Sequence, residues 1–224
     1  MSEPSTESAD SPEPVRAFLK PRKAMPFFGR HPWVFESAIE SLATPDGEEP
    51  AAGTPVELWT AKKEFVAHGL WNPQSNIRIR LYSWDKQRTV NAQLLEERIN
   101  RAIEMRRSLF DLASDKTGCR LVFSESDGLS GLIVDSYGGL LSVQFTSLAL
   151  FQFKEAIVDT LKSVLQPRGV WMRTEKGMRE AEGLEAVDGL VDGVEPPRPL
   201  FIEENGVQYG VDVQEGQKTG CYLD

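Results

Sequence analysis

Apolar residues recur at every second position in several short segments of the first third of the chain, which is the spacing of β-strands. In residues 76–82 the apolar side chains share one face of the predicted strand: Ile77, Ile79 and Leu81. The opposite face carries Arg78, Arg80 and Tyr82. Further strands are predicted at residues 15–20, 54–60 and 64–71. Residues 15–84 are therefore expected to form a small β-rich domain.

The spacing becomes helical at residues 91–110, where apolar side chains fall near one stripe, acids come early and arginines come late. A hairpin is predicted over residues 131–146, followed by a helix at 148–165 and a strand at 169–173. The order of these elements predicts an α+β fold with a second, strand-rich domain.

The C-terminal part of the sequence predicts a connecting loop followed by a hairpin. Residues 176–199 are rich in Gly, Pro and acidic side chains, which indicates a connecting loop. The segment that follows is predicted to form a hairpin around Asn205-Gly206, a strong turn signal. Because a lone hairpin has little to pack against, we expect it to expose apolar surface.

Composition limits the class of protein. The chain has 224 residues, of which 40% are hydrophobic, and it has no run of about 18 apolar residues that could cross a membrane. Residues 1–14 are polar and predicted to be a disordered tail, without the basic and apolar regions of a signal peptide. Two cysteines without metal-ligand spacing fit a cytoplasmic location.

The net charge of −9 hides an uneven distribution. Residues 1–15 contain four acidic and no basic side chains, and residues 16–110 contain 15 basic and 11 acidic ones. Residues 111–224 contain 10 basic and 19 acidic ones. A basic middle section is a reason to look for a surface that binds a polyanion such as RNA. A solvated surface with uneven charge is the alternative interpretation.

Two groups of cations in the middle section are candidates for contacts with RNA phosphates. Residues 16–30 contain five cations and no acid, and four of them are predicted to bind RNA: Lys20, Arg22, Lys23 and Arg30. The second group is Arg78 and Arg80, which the strand alternation directs away from the apolar face. The nearby aromatic residues Phe27, Phe28 and Trp33 could stack on bases, but packing in a small β core is favoured.

The sequence shows no catalytic or metal-binding constellation. His31 and His68 have no carboxylate or serine beside them that would indicate a catalytic role. The segment EGQKTG differs from a phosphate-binding loop, because Val211 stands where its first glycine would be. Cys119 and Cys221 are interpreted as packing residues.

Four stretches, taken in order, resemble the RlmI-like family of bacterial 23S ribosomal RNA cytosine-C5 methyltransferases, which use S-adenosylmethionine. They are KAMPFFGRHPWVFESAIE (residues 23–40), GLWNPQSNIRIRLYSW (69–84), ESDGLSGLIVDSYGGLLSVQF (125–145) and ENGVQYGVDVQEGQKTGCYLD (204–224). The resemblance implies an RNA-binding PUA-like domain at residues 15–84 and an α+β middle domain at 85–185. Residues 186–224 would be a connector and a β-hairpin that lead into a Rossmann-like methyltransferase domain.

The resemblance also implies which parts of a methyltransferase the 224 residues contain. The family's glycine-rich cofactor loop and catalytic Pro-Cys segment would come after residue 224, so the chain alone is expected to be inactive and to bind no cofactor. S-adenosylmethionine would be the cofactor of the full-length family member. Gln217, Lys218 and Thr219 match the family segment just before the methyltransferase core and are expected beside the cofactor pocket. Cys221 does not match the family's nucleophile.

The function expected from this resemblance is that of the RNA-binding and linker portion of an rRNA methyltransferase. Ribosomal RNA is the expected partner, no membrane is involved, and a homodimer is left open. A stand-alone, non-catalytic RNA-binding module is the alternative. A protein–protein interaction domain that uses the acidic second half is a third reading.

Overall fold

The computed structural model describes residues 13–174 and 176–215. The first part of the chain contains β1 (Val15–Leu19), α1 (Met25–Phe28), β2 (Trp33–Phe35), β3 (Ile39–Ala43), β4 (Pro55–Trp59), β5 (Phe65–Trp71) and β6 (Ile77–Ser83). The second part contains α2 (Ala92–Arg107), β7 (Gly118–Phe123), β8 (Leu132–Tyr137), β9 (Leu140–Phe145), α3 (Leu148–Phe151), α4 (Lys154–Leu165), β10 (Gly169–Thr174), α5 (Lys176–Glu182), β11 (Gly189–Gly193), β12 (Leu200–Glu204) and β13 (Val207–Val211). These elements confirm the α+β fold class.

The first domain is a six-stranded sheet in the order β2-β6-β5-β4-β1-β3. Strand β1 pairs in parallel with β4 and antiparallel with β3, so it lies inside the sheet rather than at an edge. Most core side chains come from the predicted strands: Ala17, Leu19, Val56, Leu58 and Ile79. Val34 also lies in the core, on strand β2, which was not predicted. The edge strand β3 was not predicted, because its sequence IESLA lacks the apolar alternation of the other strands.

The second domain is a five-stranded sheet in the order β11-β10-β9-β8-β7, with helices α2 and α4 in contact with each other. Helix α2 begins after Asn91, whose side chain accepts a hydrogen bond of 2.9 Å from the Leu94 N–H. Its buried residues Leu95, Ile99 and Ile103 confirm the predicted helical stripe. The predicted helix at residues 148–165 consists of two helices, α3 and α4.

The segment expected to be a connector is structured. Residues 176–199 contain helix α5 and strand β11, and β11 pairs antiparallel with β10. The second sheet therefore continues past residue 185, where the middle domain was expected to end. The interpretation as a loop was wrong because an edge strand can be stabilised by hydrogen bonds to its neighbour, which a Gly-rich and acidic sequence does not reveal.

The hairpin formed by β12 and β13 turns at Asn205 and Gly206, both with positive φ angles, as the turn signal predicted. Leu200 and Ile202 pack with Tyr137 and Leu140 of the second domain. The expected exposure of apolar surface on this hairpin is confirmed for three side chains: Phe201, Val207 and Tyr209.

Two sets of predictions fall mostly or entirely on residues that the structure does not describe. Most of the predicted disordered tail lies outside the described residues, and so do Gln217, Lys218, Thr219 and Cys221. Among the helices in the described part of the chain, none combines the length and the apolar character needed to cross a bilayer.

The two domains pack directly against each other. Leu70 and Tyr82 belong to first-domain strands, yet their side chains join the hydrophobic core of the second domain. The Tyr82 hydroxyl donates a hydrogen bond of 2.6 Å to the carbonyl oxygen of Ser130. Burial raises the pKa of Tyr82 well above its usual value, so the phenol remains a hydrogen-bond donor at neutral pH. This packing fixes the position of β6 against the second domain.

Candidate nucleic-acid interface

Four predicted RNA-binding cations border helix α1. Lys20 follows β1, Arg22 and Lys23 lie in the turn before the helix, and Arg30 follows its last turn. All four side chains are exposed. Arg22 and Arg30 have positive φ angles, which mark the tight turns on either side of the helix. We call these four cations, together with the exposed residues of α1, the α1 surface.

The α1 surface also presents apolar side chains. Met25 is 75% exposed and Phe28 is 50% exposed, whereas Phe27 is buried in the first-domain core. The Trp84 indole N–H donates a hydrogen bond of 2.7 Å to the carbonyl oxygen of Phe27, which attaches α1 to the domain. The preference for core packing therefore holds for Phe27 but not for Phe28. An exposed aromatic ring among cations can stack on a base while its neighbours contact phosphates.

The cations of the α1 surface differ in what they contact. The Lys20 ammonium donates a hydrogen bond of 2.9 Å to the Ser37 carbonyl oxygen. Within residues 13–174 and 176–215, Arg22 and Lys23 form no ion pair. The Arg30 guanidinium lies 6.0 Å from the centre of the Trp84 ring. In the described part of the chain, no acid forms an ion pair with any of these four cations.

Arg80 is not available to RNA, so its assignment as a surface residue was wrong. The alternation of β6 is as predicted, but the second domain covers the face opposite Ile79, and the Arg80 side chain is only 4% exposed. Its guanidinium donates hydrogen bonds of 2.8 Å to Glu182 Oε1 and 3.1 Å to Ser130 Oγ. Arg80 therefore links β6 to the second domain and to α5.

Glu182 is the residue that the sequence interpretation missed at this interface. Its carboxylate, on the last residue of α5, is 2% exposed. It accepts hydrogen bonds from Ser75 Oγ at 2.8 Å and from Asn72 Nδ2 at 3.1 Å, in addition to Arg80. A buried arginine requires such a partner, but nothing in the acid-rich segment distinguishes Glu182 from its neighbours.

Arg78 is half-buried and already paired. Its guanidinium lies 2.9 Å from the carboxylate of Glu36 and also donates to the Pro73 carbonyl oxygen. The Glu36 side chain is largely exposed, so solvent screens this ion pair. Of the six predicted RNA-binding residues, the structure thus brings four together around α1 and places the two β6 arginines in ion pairs.

Glu125 extends the polar contacts between the domains. It accepts hydrogen bonds of 2.8 Å from the Trp33 indole and 2.6 Å from Ser130 Oγ, and it lies 3.6 Å from Arg80. Partial burial opposes ionisation of Glu125, but hydrogen bonds from Ser130, Ser124 and Trp33 outweigh it and hold its pKa below the usual value. The carboxylate is therefore charged at neutral pH.

Two further residues with reactive side chains, His68 and Cys119, are both buried. His68 is buried, with its Nε2 3.0 Å from the Lys86 carbonyl oxygen. Cys119 is also buried, and burial raises the pKa of its thiol to about 11. In the described part of the chain no group of three His, Cys, Asp or Glu side chains is arranged to hold a metal ion.

Comparison with known sequences finds relatives that are named as ribosomal RNA methyltransferases. The PUA-like domain family matches residues 18–84. The chain is 37% identical over 195 residues to the ribosomal RNA large subunit methyltransferase I of Photobacterium profundum, which is 87% of this chain and 48% of that protein. It is also 37% identical over 210 residues to the Shewanella frigidimarina protein of the same name, covering 94% of this chain and 52% of the relative.

Solved structures show the same architecture. A candidate SAM-dependent methyltransferase from Streptococcus mutans superimposes with a TM-score of 0.71 at 18% identity, over 93% of this chain and 51% of that one. A candidate methyltransferase complexed with SAH gives a TM-score of 0.69 at 19% identity, over 93% of this chain and 50% of that one. At this identity the likeness shows the fold. Residues 18–84 match the PUA-like domain family, and over most of its length the chain is similar to proteins named ribosomal RNA large subunit methyltransferase I, of which it spans about half.

Proposed function

We propose that this chain is the RNA-binding and linker portion of an S-adenosylmethionine-dependent rRNA cytosine-C5 methyltransferase. The observation that carries the proposal is the α1 surface, an exposed cluster of cations and apolar side chains on a PUA-like domain. Relatives named as large-subunit rRNA methyltransferases support ribosomal RNA as the ligand. A cytoplasmic location follows from that substrate.

The α1 surface would hold RNA through two kinds of contact. Arg22, Lys23 and Arg30 would neutralise phosphates, which gives affinity without sequence preference. Phe28 would stack on an accessible base, because its ring is exposed beside these cations. The ion pair between Arg80 and Glu182 would keep the PUA-like domain in a fixed orientation, so that RNA bound at α1 is presented consistently to the rest of the enzyme.

The described residues of this chain do not fit the cofactor. They include no strand that leads through a glycine-rich loop into a helix, which is the usual site for the cofactor's nucleoside. S-adenosylmethionine would supply the methyl group in the full-length enzyme, and we assign none of the described residues to it. Gln217, Lys218 and Thr219 remain the residues proposed to lie beside the cofactor pocket.

Salt-dependent binding to a structured ribosomal RNA fragment tests the proposal. We expect fluorescence anisotropy to show binding that weakens steeply with salt. Arg22→Gln and Lys23→Gln should each lower the slope of log K against log salt concentration by about 0.7 to 0.9, the contribution of one phosphate contact. Arg168→Gln is the matched control, because Arg168 is an exposed arginine beside the Gly139 turn at the far end of the second sheet.

Two results would contradict the proposal. One is a wild-type chain that does not bind RNA even at low salt. The other is an equal decrease of the salt slope in Arg22→Gln, Lys23→Gln and Arg168→Gln. Such a result would show a general charge effect rather than a contact at the α1 surface.

A further inference from the structure

A groove of about 980 Å³ opens between the end of β6 and helix α2. The first domain contributes Arg30 and Trp84 to its lining, and α2 contributes Arg98, Arg101 and Met105. The three α2 residues are spaced so that their side chains lie on one face of the helix. Because Arg30 also belongs to the α1 surface, the groove continues directly from that surface.

Arginines concentrate positive charge in this groove. The Arg98 guanidinium donates to the main-chain carbonyl oxygens of Tyr82 and Gly128, which holds it between the two domains. Burial lowers the pKa of Arg98, and repulsion from the neighbouring Arg88 and Arg101 lowers it further. Binding of an anion would relieve the repulsion between these neighbouring arginines.

Three acids line the groove, Asp85, Glu125 and Asp127, and among the described residues none of them forms an ion pair with Arg98 or Arg101. The exposed Asp85 carboxylate accepts a hydrogen bond of 2.9 Å from the Gln87 N–H. Asp127 accepts hydrogen bonds of 2.6 Å and 3.0 Å from both terminal nitrogens of Arg106. Glu125 is occupied by Trp33 and Ser130, next to Arg80. Arg101 is exposed and has no ion pair within residues 13–174 and 176–215. The Arg88 guanidinium is paired with Glu97, so the positive charge that the groove offers to an anion lies at Arg30 and Arg101.

The groove also has an apolar side. Leu81, Leu94 and Met105 line it, and Met105 is 50% exposed. The Trp84 ring forms another part of the wall, with Arg30 near its face. Cations combined with apolar and aromatic contacts suit a nucleotide whose base is free, because the bases of a duplex are stacked and cannot reach such a surface.

We propose that this groove binds an unpaired segment of the RNA held at the α1 surface, with phosphates at Arg30 and Arg101 and a base against Trp84 and Met105. The proposal rests on the proposed RNA-binding function and adds a second contact region with a defined ligand class. RNA would then bridge the PUA-like domain and α2, with paired regions outside the groove and unpaired nucleotides inside it.

The test compares two RNA probes on the 224-residue chain. One probe is a stem–loop, and the other is a blunt duplex with the same stem sequence. We expect the wild-type chain to bind the stem–loop more tightly. Met105→Gln should weaken stem–loop binding about fourfold, because an amide replaces the apolar end of a side chain in contact with a base, and leave duplex binding unchanged. Arg101→Gln should lower the salt slope by about 0.7 for the stem–loop only.

Control variants separate this proposal from the proposed function. Arg168→Gln should change binding of neither probe, and unchanged thermal unfolding midpoints would show that the groove variants are folded. If Met105→Gln and Arg101→Gln leave stem–loop binding unchanged, or weaken both probes equally, the groove assignment is wrong. In that case, weaker binding of both probes by Arg22→Gln and Lys23→Gln would still support RNA binding at the α1 surface.

Discussion

Replacing Glu182 with alanine tests the interface that joins the PUA-like domain to the rest of the chain. The Arg80 and Glu182 side chains are 4% and 2% exposed and lie 2.8 Å apart. Removing the carboxylate would leave the buried Arg80 guanidinium with only the longer contact, 3.6 Å, to the partly exposed carboxylate of Glu125 among the described ion pairs. It would also remove the acceptor for Ser75 Oγ and one of the acceptors for Asn72 Nδ2.

The expected cost is large for a single substitution. Breaking a buried ion pair by removing one partner costs about 3 to 5 kcal/mol. The lost hydrogen bonds from Ser75 and Asn72 are part of the same network, so their contributions do not simply add to this value. Because domains are typically stable by about 5 to 15 kcal/mol, Glu182→Ala should lower the free energy of unfolding by a substantial fraction.

Urea unfolding followed by tryptophan fluorescence provides the measurement. Trp33 is a useful reporter, because its indole donates a hydrogen bond to Glu125 across the same interface. Glu180→Ala is the matched control on α5, since Glu180 is exposed, and it should change the free energy of unfolding by no more than about 0.5 kcal/mol. The double variant Arg80→Met/Glu182→Leu should recover most of the loss, because two packed apolar side chains replace the buried ion pair and Glu125 keeps its hydrogen bonds from Trp33 and Ser130.

The outcome that would refute this reasoning is a small effect. If Glu182→Ala costs less than about 1 kcal/mol, or no more than Glu180→Ala, Arg80 cannot be buried beside Glu182 in solution. The assignment of Arg80 as a link between the domains would then be withdrawn, and Arg80 would again be a candidate for RNA contact.

Two further predictions concern ionisation. Because burial raises the Cys119 pKa to about 11, iodoacetamide at pH 8 should label this thiol slowly in the folded Cys221→Ser variant and rapidly in urea. Rapid labelling of the folded protein, detected by mass spectrometry, would contradict the burial. The pKa of Glu125 is lower in the folded state, so its charge stabilises the fold at neutral pH, and this contribution is lost progressively as the pH falls from about 4.5, the usual value, through the lower pKa of the folded state. The difference in unfolding free energy between wild type and Glu125→Gln should therefore shrink from pH 7 to pH 4, and a constant difference would count against it.

The spacing of apolar residues predicted the elements that contribute apolar side chains of their own to a core. Strand β6 and helix α2 each carry their apolar side chains on one face, so their apolar positions recur with the period of the element. Strand β11 and helix α5 could not be predicted in this way. The antiparallel pairing of β11 with β10 and the contacts of Glu182 with the first domain both depend on partners that are distant in sequence.

The candidate site was predictable to the extent that it is local. Lys20, Arg22, Lys23 and Arg30 lie within eleven consecutive residues, so a basic cluster in the sequence becomes a basic surface around one short helix. The groove residues of α2 were not predicted, because Arg98 and Arg101 become neighbours of Arg30 only when the two domains pack together.

Arg80 shows why counting cations overstates the charge available for RNA. Alternation along a strand determines which face a side chain occupies, but exposure depends on whether another layer covers that face. Here the second domain covers the polar face of β6, and the buried guanidinium then requires Glu182 as a partner. The basic section of the sequence thus serves two purposes. Some of its arginines join elements of the fold, as Arg80 and Arg106 do. Others, such as Arg22 and Arg101, form no ion pair with any described residue, and these are the ones whose charge we propose for phosphate contacts.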